Sequence, residues 1–234
     1  MLDAYEWKAR WIPTTIVLLP SFITIYYCFP DLHTNVVLTA GSGMVSVGLI
    51  YVAAMALRDL GLRRQPQLWE SWGGPPSTRF ARMTDARFDT THKQRIHLAV
   101  RRRFGIELLP ADNEANNLLA ADKVIAEAFR RVREYVRQND SVGLVGKHNA
   151  EYGFARHLYA GREVALALAL AGVFGSGFAR SNSWMFNLGS QLNALFALLW
   201  LPFAWFFLPG MLKRAAETYA ERAWMTFLEL EESQ

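Results

Sequence analysis

The sequence predicts an all-α polytopic membrane protein, in which four transmembrane helices in two hairpins flank a mostly helical, basic cytosolic domain. Of the 234 residues, 52% are hydrophobic and 20% are charged, and the apolar residues form nearly uncharged runs on both sides of a charged middle. That middle lacks the alternation of apolar and polar residues that is typical of strands. The predicted parts are an N-terminal hairpin at 1–57, the basic domain at 58–163, a C-terminal hairpin at 164–212 and an amphipathic helix at 213–234.

The first hairpin is predicted from two uncharged runs. Between Arg10 and Asp31 lie 20 residues without formal charge, enough for a helix that rises about 1.5 Å per residue to cross a bilayer. We place the first span at 11–29 and the second at 35–57. The second span contains small residues at three- and four-residue spacing, which let helices approach closely in lipid. These residues are Ala40, Gly43 and Val47. They predict either packing against the first span or contact with another subunit.

The charge of the chain is concentrated in its middle. Segment 58–163 contains 19 Lys/Arg and 13 Asp/Glu, whereas the whole chain has a net charge of +4. We expect irregular structure over 65–79, because the Gly-Gly-Pro-Pro sequence at 73–76 breaks helices. Helical periodicity then predicts the remaining elements of this domain: helices at 90–104 and 112–138, and a loop at 140–149.

Helix-end signals support the first of these helices. Thr90 or Thr91 can cap its beginning, and Gly105 can end it.

The second hairpin follows the domain. Its first uncharged run, 164–179, has only 16 residues, so the helix must begin earlier or its flanking arginines must reach back to the interface. The fourth span extends from 184–188 to 208, with a final helix from Lys213.

The distribution of basic residues predicts the orientation. The two short turns carry one charge each, Asp31 and Arg180, whereas the opposite side holds 24 of the 25 Lys/Arg. The positive-inside rule therefore places both termini and the basic domain in the cytoplasm. Cys28 lies within the first span and, as the single cysteine, cannot form a disulfide within one chain.

The arginines are the strongest indication of a ligand. The planar guanidinium group suits phosphate oxygens, and neighbouring aromatic rings can stack on bases. The same cations could instead attract the inner leaflet and form exposed ion pairs with the acids of the segment. The predicted ligand-binding residues are Arg79, Arg82, Arg101, Arg102, Arg103, Arg130, Arg131, Lys147 and Arg156.

Polar residues in the fourth span are candidates for a pore. Amide side chains within a membrane usually face protein or water, and Asn193 is a further amide in this span. In an oligomer such residues could line a conduction path, whereas in a single chain they could bond one helix to another. An arginine at the mouth would favour anions. The predicted pore-lining residues are Arg180, Asn187 and Gln191.

We predict no enzyme, cofactor or metal. No paired carboxylates, Ser-His-Asp pattern or helical His-x3-His spacing stands out. The loop at 140–149 resembles a phosphate-binding P-loop only superficially. That motif requires a glycine where Ser141 stands and Ser or Thr where His148 stands.

Two motifs and the layout of the whole chain resemble a known class of protein. The motifs are Trp-Gly-Gly-Pro-Pro-Ser-Thr at 72–78 and Glu-Tyr-Gly-Phe-Ala-Arg-His at 151–157. In this layout the chain resembles the membrane effectors of bacterial nucleotide-signalling antiphage systems, of the CBASS and Hailong types. The resemblance implies a homo-oligomeric channel, with a tetramer favoured, whose cytosolic domain binds a nucleotide or short oligonucleotide made by a partner enzyme. The alternative is a non-conducting membrane anchor or scaffold that recruits a soluble partner protein.

Overall fold

The computed structural model describes residues 4–29, 36–178 and 188–233. All regular elements in these ranges are helical, which confirms the all-α prediction for this part of the chain. The α-helices are α1 (Ala4–Glu6), α2 (Ile12–Cys28), α3 (Val36–Ser71), α4 (Pro76–Arg79), α5 (Thr90–Phe104), α6 (Ala111–Asn116), α7 (Leu118–Asn139), α8 (Leu144–Phe178), α9 (Leu188–Pro202) and α10 (Leu208–Glu232), and π-helical turns cover Trp7–Trp11 and Phe203–Phe207. The predicted turns around Asp31 and Arg180 lie outside the described residues.

Four helical stretches are long and apolar enough to cross a membrane, as the sequence predicts. They are Trp7–Cys28, Gly43–Ser71, Leu144–Gly175 and Leu188–Glu232. The third begins well before the short uncharged run at 164–179. Of the two alternatives for that run, the earlier helix start is therefore the one that the structure adopts.

Two predicted helix breaks are wrong in position. Helix α3 continues to Ser71 with Pro66 inside it, so irregular structure begins only at Gly73 and Gly74, whose φ angles are 78° and 120°. Helical structure also continues through Pro209, directly after the π-helical turn at Phe203–Phe207. A π turn changes the local hydrogen-bond spacing, so the N–H that proline lacks is tolerated there.

Side-chain caps determine where α5 and α7 begin. Asp89 caps α5 by accepting a hydrogen bond from the His92 N–H at 2.8 Å, so the predicted threonine cap is wrong by one residue. Gly105 ends this helix at a φ of 67°, as predicted. The predicted helix at 112–138 is interrupted at Asn117, whose side chain accepts from the Ala120 N–H and begins α7.

The loop at 140–149 is shorter than predicted. The Asp140 carboxylate accepts hydrogen bonds from the N–H groups of Gly143 and Val145, each at 2.9 Å. These bonds satisfy donors at the start of α8. The helix therefore begins at Leu144.

The chain divides into two compact units. Unit 1 comprises Met1–Arg64 and Ala150–Lys213, and unit 2 comprises Gln65–Asn149 and Arg214–Gln234. The domain boundaries predicted at 58 and 163 both lie within unit 1. Helices α3, α8 and α10 each pass from one unit into the other without interruption.

Unit 1 has an apolar core to which all four long helical stretches contribute. Val17, Leu57, Leu158 and Trp200 are buried in one cluster. A Cβ added at Gly161 would lie 2.6 Å from Val17 Cγ2, so the helix backbones approach closely at this point. Small residues permit such contact between helices in a membrane.

Helices α2 and α8 run in the same direction. A Cβ at Gly153 would lie 2.9 Å from Ala9 Cβ, and one at Gly172 would lie 2.5 Å from Thr24 Oγ1. The paired residue numbers rise together along both helices. Helix α9 runs opposite to α8, because Ser190 bonds to the Val173 carbonyl and Trp200 bonds to that of Arg162.

Unit 2 is built around aromatic residues of the C-terminal helix. Trp224 and Phe227 are fully buried. The Trp224 ring lies 5.3 Å from that of Phe129, and the Phe227 ring lies 5.7 Å from that of Phe104. The end of α10 is therefore an integral part of this core.

Candidate functional site

The Gly-Gly-Pro-Pro turn of unit 2 is held in place by Arg82. The Nη1 group of Arg82 donates to the Gly73 carbonyl at 2.9 Å. Its Nε and Nη2 groups donate to the two carboxylate oxygens of Asp122 at 2.7 and 2.6 Å. A Cβ at Gly74 would lie 2.6 Å from Arg82 Nη2, so glycine is required by both contact and backbone conformation. This predicted ligand-binding residue is therefore engaged inside the unit.

Arg79 lies on the other side of the same turn. Its Nη1 group donates to the Trp72 carbonyl at 2.6 Å. Its other nitrogens face Asp85 at 3.0 Å and Glu217 at 3.1 Å. The turn within the Trp-Gly-Gly-Pro-Pro-Ser-Thr sequence at 72–78 is thus closed by arginine contacts within the protein.

Two buried charges fix the segment after this turn, and the sequence analysis missed both. The Glu114 carboxylate, fully buried, accepts from the N–H groups of Met83 and Thr84 at 2.8 and 3.1 Å and from the Thr84 hydroxyl at 2.6 Å. Lys93, also buried, donates to the carbonyls of Met83 and Asp85. A charged residue on the apolar face of a predicted helix is the signal that could have identified them.

Acidic residues near the C-terminus neutralise arginines from the middle of the chain. Arg103 Nε donates to Glu231 at 2.6 Å, and the Arg103 guanidinium lies 4.9 Å from the centre of the Tyr135 ring. Arg87 pairs with Glu221, and this hydrogen bond raises the pKa of the Arg87 guanidinium above its ordinary value.

Unit 2 is close to neutral once the C-terminal helix is included. It contains 16 Lys/Arg and 15 Asp/Glu, a net charge of +1. The excess of basic residues in the sequence segment 58–163 is therefore not a property of the folded unit. Any binding of anions must depend on where the exposed cations lie.

Besides Arg103, which pairs with Glu231, five of the predicted ligand-binding residues are exposed in unit 2. The side chains of Arg101 and Arg102 on α5 are 66% and 72% exposed. Those of Arg130 and Arg131 on α7 are 67% and 65% exposed, and both lie near Glu127. Lys147 is exposed at the start of α8. These residues come from three helices.

Arg156 belongs to unit 1, whereas the other predicted ligand-binding residues belong to unit 2. Its guanidinium lies 5.4 Å from the centre of the Tyr152 ring. Its Cγ would lie 3.2 Å from a Cβ added at Gly61. The Glu-Tyr-Gly-Phe-Ala-Arg-His sequence at 151–157 thus contributes to the packing of unit 1, where His157 is buried and bonds through Nδ1 to the Gly153 carbonyl at 3.0 Å.

Of the predicted pore-lining residues, the structure describes Gln191, while Arg180 and Asn187 lie outside the described residues. Gln191 is exposed on α9. Asn193, two positions further, is fully buried and donates to Thr24 Oγ1 at 3.1 Å and to the Gly189 carbonyl at 3.0 Å. Asn193 thus bonds α9 to α2, which is the interhelical role that was the alternative for the amides of this span.

Among the described residues, no group of three His, Cys, Asp or Glu side chains is placed to hold a metal ion. Comparisons of the chain with protein-family models, with curated proteins and with solved structures find no match. A function for this protein is therefore inferred from its own residues.

Proposed function

We propose that this chain is one subunit of an oligomeric ion channel in the bacterial inner membrane, with unit 2 in the cytoplasm as the ligand-binding part. The observation that carries the proposal is the open face of α3. A Cβ at Gly43 or Gly48 would meet nothing within 4 Å. Among the residues that the structure describes, Gly43 and Gly48 are therefore not used for packing, and they are available to a second copy.

A conduction path has to be built between copies. The centre of unit 1 is filled by the buried cluster around Val17, Leu57, Leu158 and Trp200. Gln191 is exposed on α9, a helix whose exposed neighbours Leu195 and Leu198 are apolar. An amide is costly to expose to hydrocarbon, so a protein or water contact for Gln191 in an oligomer is favoured.

The proposed ligand is anionic and is a nucleotide or short oligonucleotide supplied by a partner enzyme, as in the antiphage effectors that the chain resembles. Its phosphates would contact the exposed cations of unit 2, since Arg79, Arg82 and Arg103 already hold carboxylates within the unit. In this proposal, ligand binding changes the conductance and thereby the potential of an infected cell.

The test is ion flux from liposomes that contain the purified chain, with and without cyclic nucleotides and short oligonucleotides. Gly48→Leu should break up the oligomer and abolish flux. Gly146→Leu, a matched change on the part of α8 that belongs to unit 2, where a Cβ also meets nothing within 4 Å, should preserve both. Gln191→Leu should alter conductance while the oligomer persists. A folded chain that stays monomeric in lipid and conducts nothing contradicts the proposal.

A second candidate is a non-conducting anchor or scaffold for a soluble protein. The near neutrality of unit 2 favours it, because ion pairs inside the unit account for several of the arginines that suggested a ligand. This function predicts no flux under any condition and no change of oligomeric state on addition of nucleotides.

A further inference from the structure

We infer that the exposed face of α7 is a binding surface for the phosphate backbone of an oligonucleotide. Four of its cations form a stripe, which we call the α7 stripe: Lys123, Arg130, Arg133 and Arg137. This inference rests on the ligand part of the proposed function and specifies its ligand class and site. It does not depend on ion conduction.

Helical geometry places these four cations on one side of α7. At 100° per residue, their directions fall within a sector of about 80°, and the stripe extends over about 21 Å of the helix axis. A single strand stacked as it is in a duplex places a phosphate about every 3.4 Å along the axis, so the stripe parallels about six phosphates of such a strand. A mononucleotide would contact only one end of it.

The opposite face of α7 makes the stripe rigid. Ile125, Phe129, Val132 and Val136 are buried in the core of unit 2. Asp122 is held by the two-pronged pair with Arg82. The backbone that carries the cations is therefore fixed before a ligand arrives, which reduces the entropy lost on binding.

The stripe retains positive charge although unit 2 is nearly neutral. The exposed face of α7 has five cations, the stripe and Arg131, but two acids, Glu127 and Glu134. Hydrogen bonds from Arg137 and Gln138 hold the pKa of the Glu134 carboxyl below its usual range. Arg130 pairs with Glu127 and Arg137 with Glu134, and five cations against two acids leave this face a formal charge of +3. The acids of the C-terminal helix instead pair with arginines outside α7, including Arg87, Arg95 and Arg103.

The chemistry of the stripe predicts recognition of phosphates alone. All of its members are Lys or Arg, and the sector they occupy contains no aromatic residue on which a base could stack. Of the two aromatic residues in this part of α7, Phe129 is buried, and Tyr135 faces Arg103 and Phe227. Binding should therefore depend weakly on base sequence and strongly on salt.

The test uses the full chain in nanodiscs of neutral phosphatidylcholine and a fluorescent single-stranded oligonucleotide of mixed sequence, with anisotropy measured across a KCl series. For four phosphate contacts, the slope of log affinity against log salt should be about −3. Lys123→Gln, Arg130→Gln, Arg133→Gln and Arg137→Gln together should abolish binding at low salt. The control, Arg214→Gln with Arg222→Gln, removes two exposed cations elsewhere in unit 2 and should retain most of the affinity.

Three results would overturn the inference: no binding at low salt, a quadruple variant that binds like wild type, or affinity lost only in the control. A quadruple variant that instead loses only its affinity for vesicles of phosphatidylglycerol would assign the stripe to the membrane surface and also overturn it. Thermal unfolding of the variant distinguishes lost binding from lost folding, and exposed positions on a packed helix should change Tm little. Oligonucleotide binding without flux would support the stripe and contradict the channel, whereas flux switched by a mononucleotide without oligonucleotide binding would do the opposite.

Discussion

Arg82 and Asp122 form a two-pronged ion pair, with Nε 2.7 Å from Oδ1 and Nη2 2.6 Å from Oδ2. The third nitrogen of Arg82 bonds to the Gly73 carbonyl. One side chain thereby joins the Gly-Gly-Pro-Pro turn to α7. The Arg82 side chain is 9% exposed, so this pair belongs to the interior of unit 2.

Removing Asp122 should destabilise the protein strongly. Asp122→Ala leaves a nearly buried guanidinium without its carboxylate, at a cost of about 3 kcal/mol. We expect Tm in mild detergent to fall by about 6–12 °C. Glu127→Gln on the same helix breaks two ion pairs whose arginine side chains are about two-thirds exposed, and it should change Tm little. Equal losses in the two variants would contradict this account.

Gly161 should tolerate no side chain while Val17 is present. In Gly161→Ala the new Cβ lies 2.6 Å from Val17 Cγ2 and 3.3 Å from Leu57 Cδ2, so overpacking should cost about 1–3 kcal/mol. Val17→Ala removes the closest atoms. The double variant should therefore be more stable than the sum of the two single losses predicts, and strict additivity of the two Tm shifts would rule out this contact.

Glu114 should control the order of the segment that it binds. Glu114→Ala removes the acceptor of three donors, at Met83 and Thr84, and leaves two backbone N–H groups without it. Hydrogen exchange at these two amides should accelerate by at least an order of magnitude, since each lost bond costs about 1–3 kcal/mol. Asp112→Ala, at an exposed position of the same short helix, should leave their exchange unchanged.

Arg103 and Arg102 should differ although they are neighbours. Arg103 Nε donates to Glu231 at 2.6 Å, whereas Arg102 Nε lies 4.0 Å from the same carboxylate and its side chain is 72% exposed. Glu231 is buried, so Arg103→Gln should lower Tm by several degrees through the uncompensated carboxylate. Arg102→Gln should leave Tm nearly unchanged. A larger loss at Arg102 would mean that Glu231 uses the other arginine.

Much of the helical architecture could be predicted from sequence because it depends on local chemistry. The four apolar runs are visible as stretches without charge. Gly105 was assigned as a helix end because only glycine readily adopts positive φ there. Helix boundaries near prolines were predicted less well. Pro66 and Pro209 both lie within helices, although proline carries an intrinsic penalty there, and a π-helical turn precedes Pro209.

The candidate site was harder to predict, because its charges are partnered across long distances in the chain. Counting residues in 58–163 indicated a basic domain, but Glu217, Glu221 and Glu231 come from the last helix. Local patterns contain no information about such pairs. The stripe on α7 differs in this respect, since its residues share one helix and their alignment follows from helical geometry alone.

The sequence by itself determined that this protein is helical and has four stretches able to cross a membrane, because length and apolarity are properties of contiguous segments. The alignment of the four cations of the α7 stripe also follows from their spacing in the sequence. Only the tertiary structure decided which arginines hold carboxylates inside unit 2, that Asn193 bonds to Thr24, and that Gly161 meets Val17. Ion pairs and close helix contacts depend on which distant segments are brought together, and no local pattern specifies that.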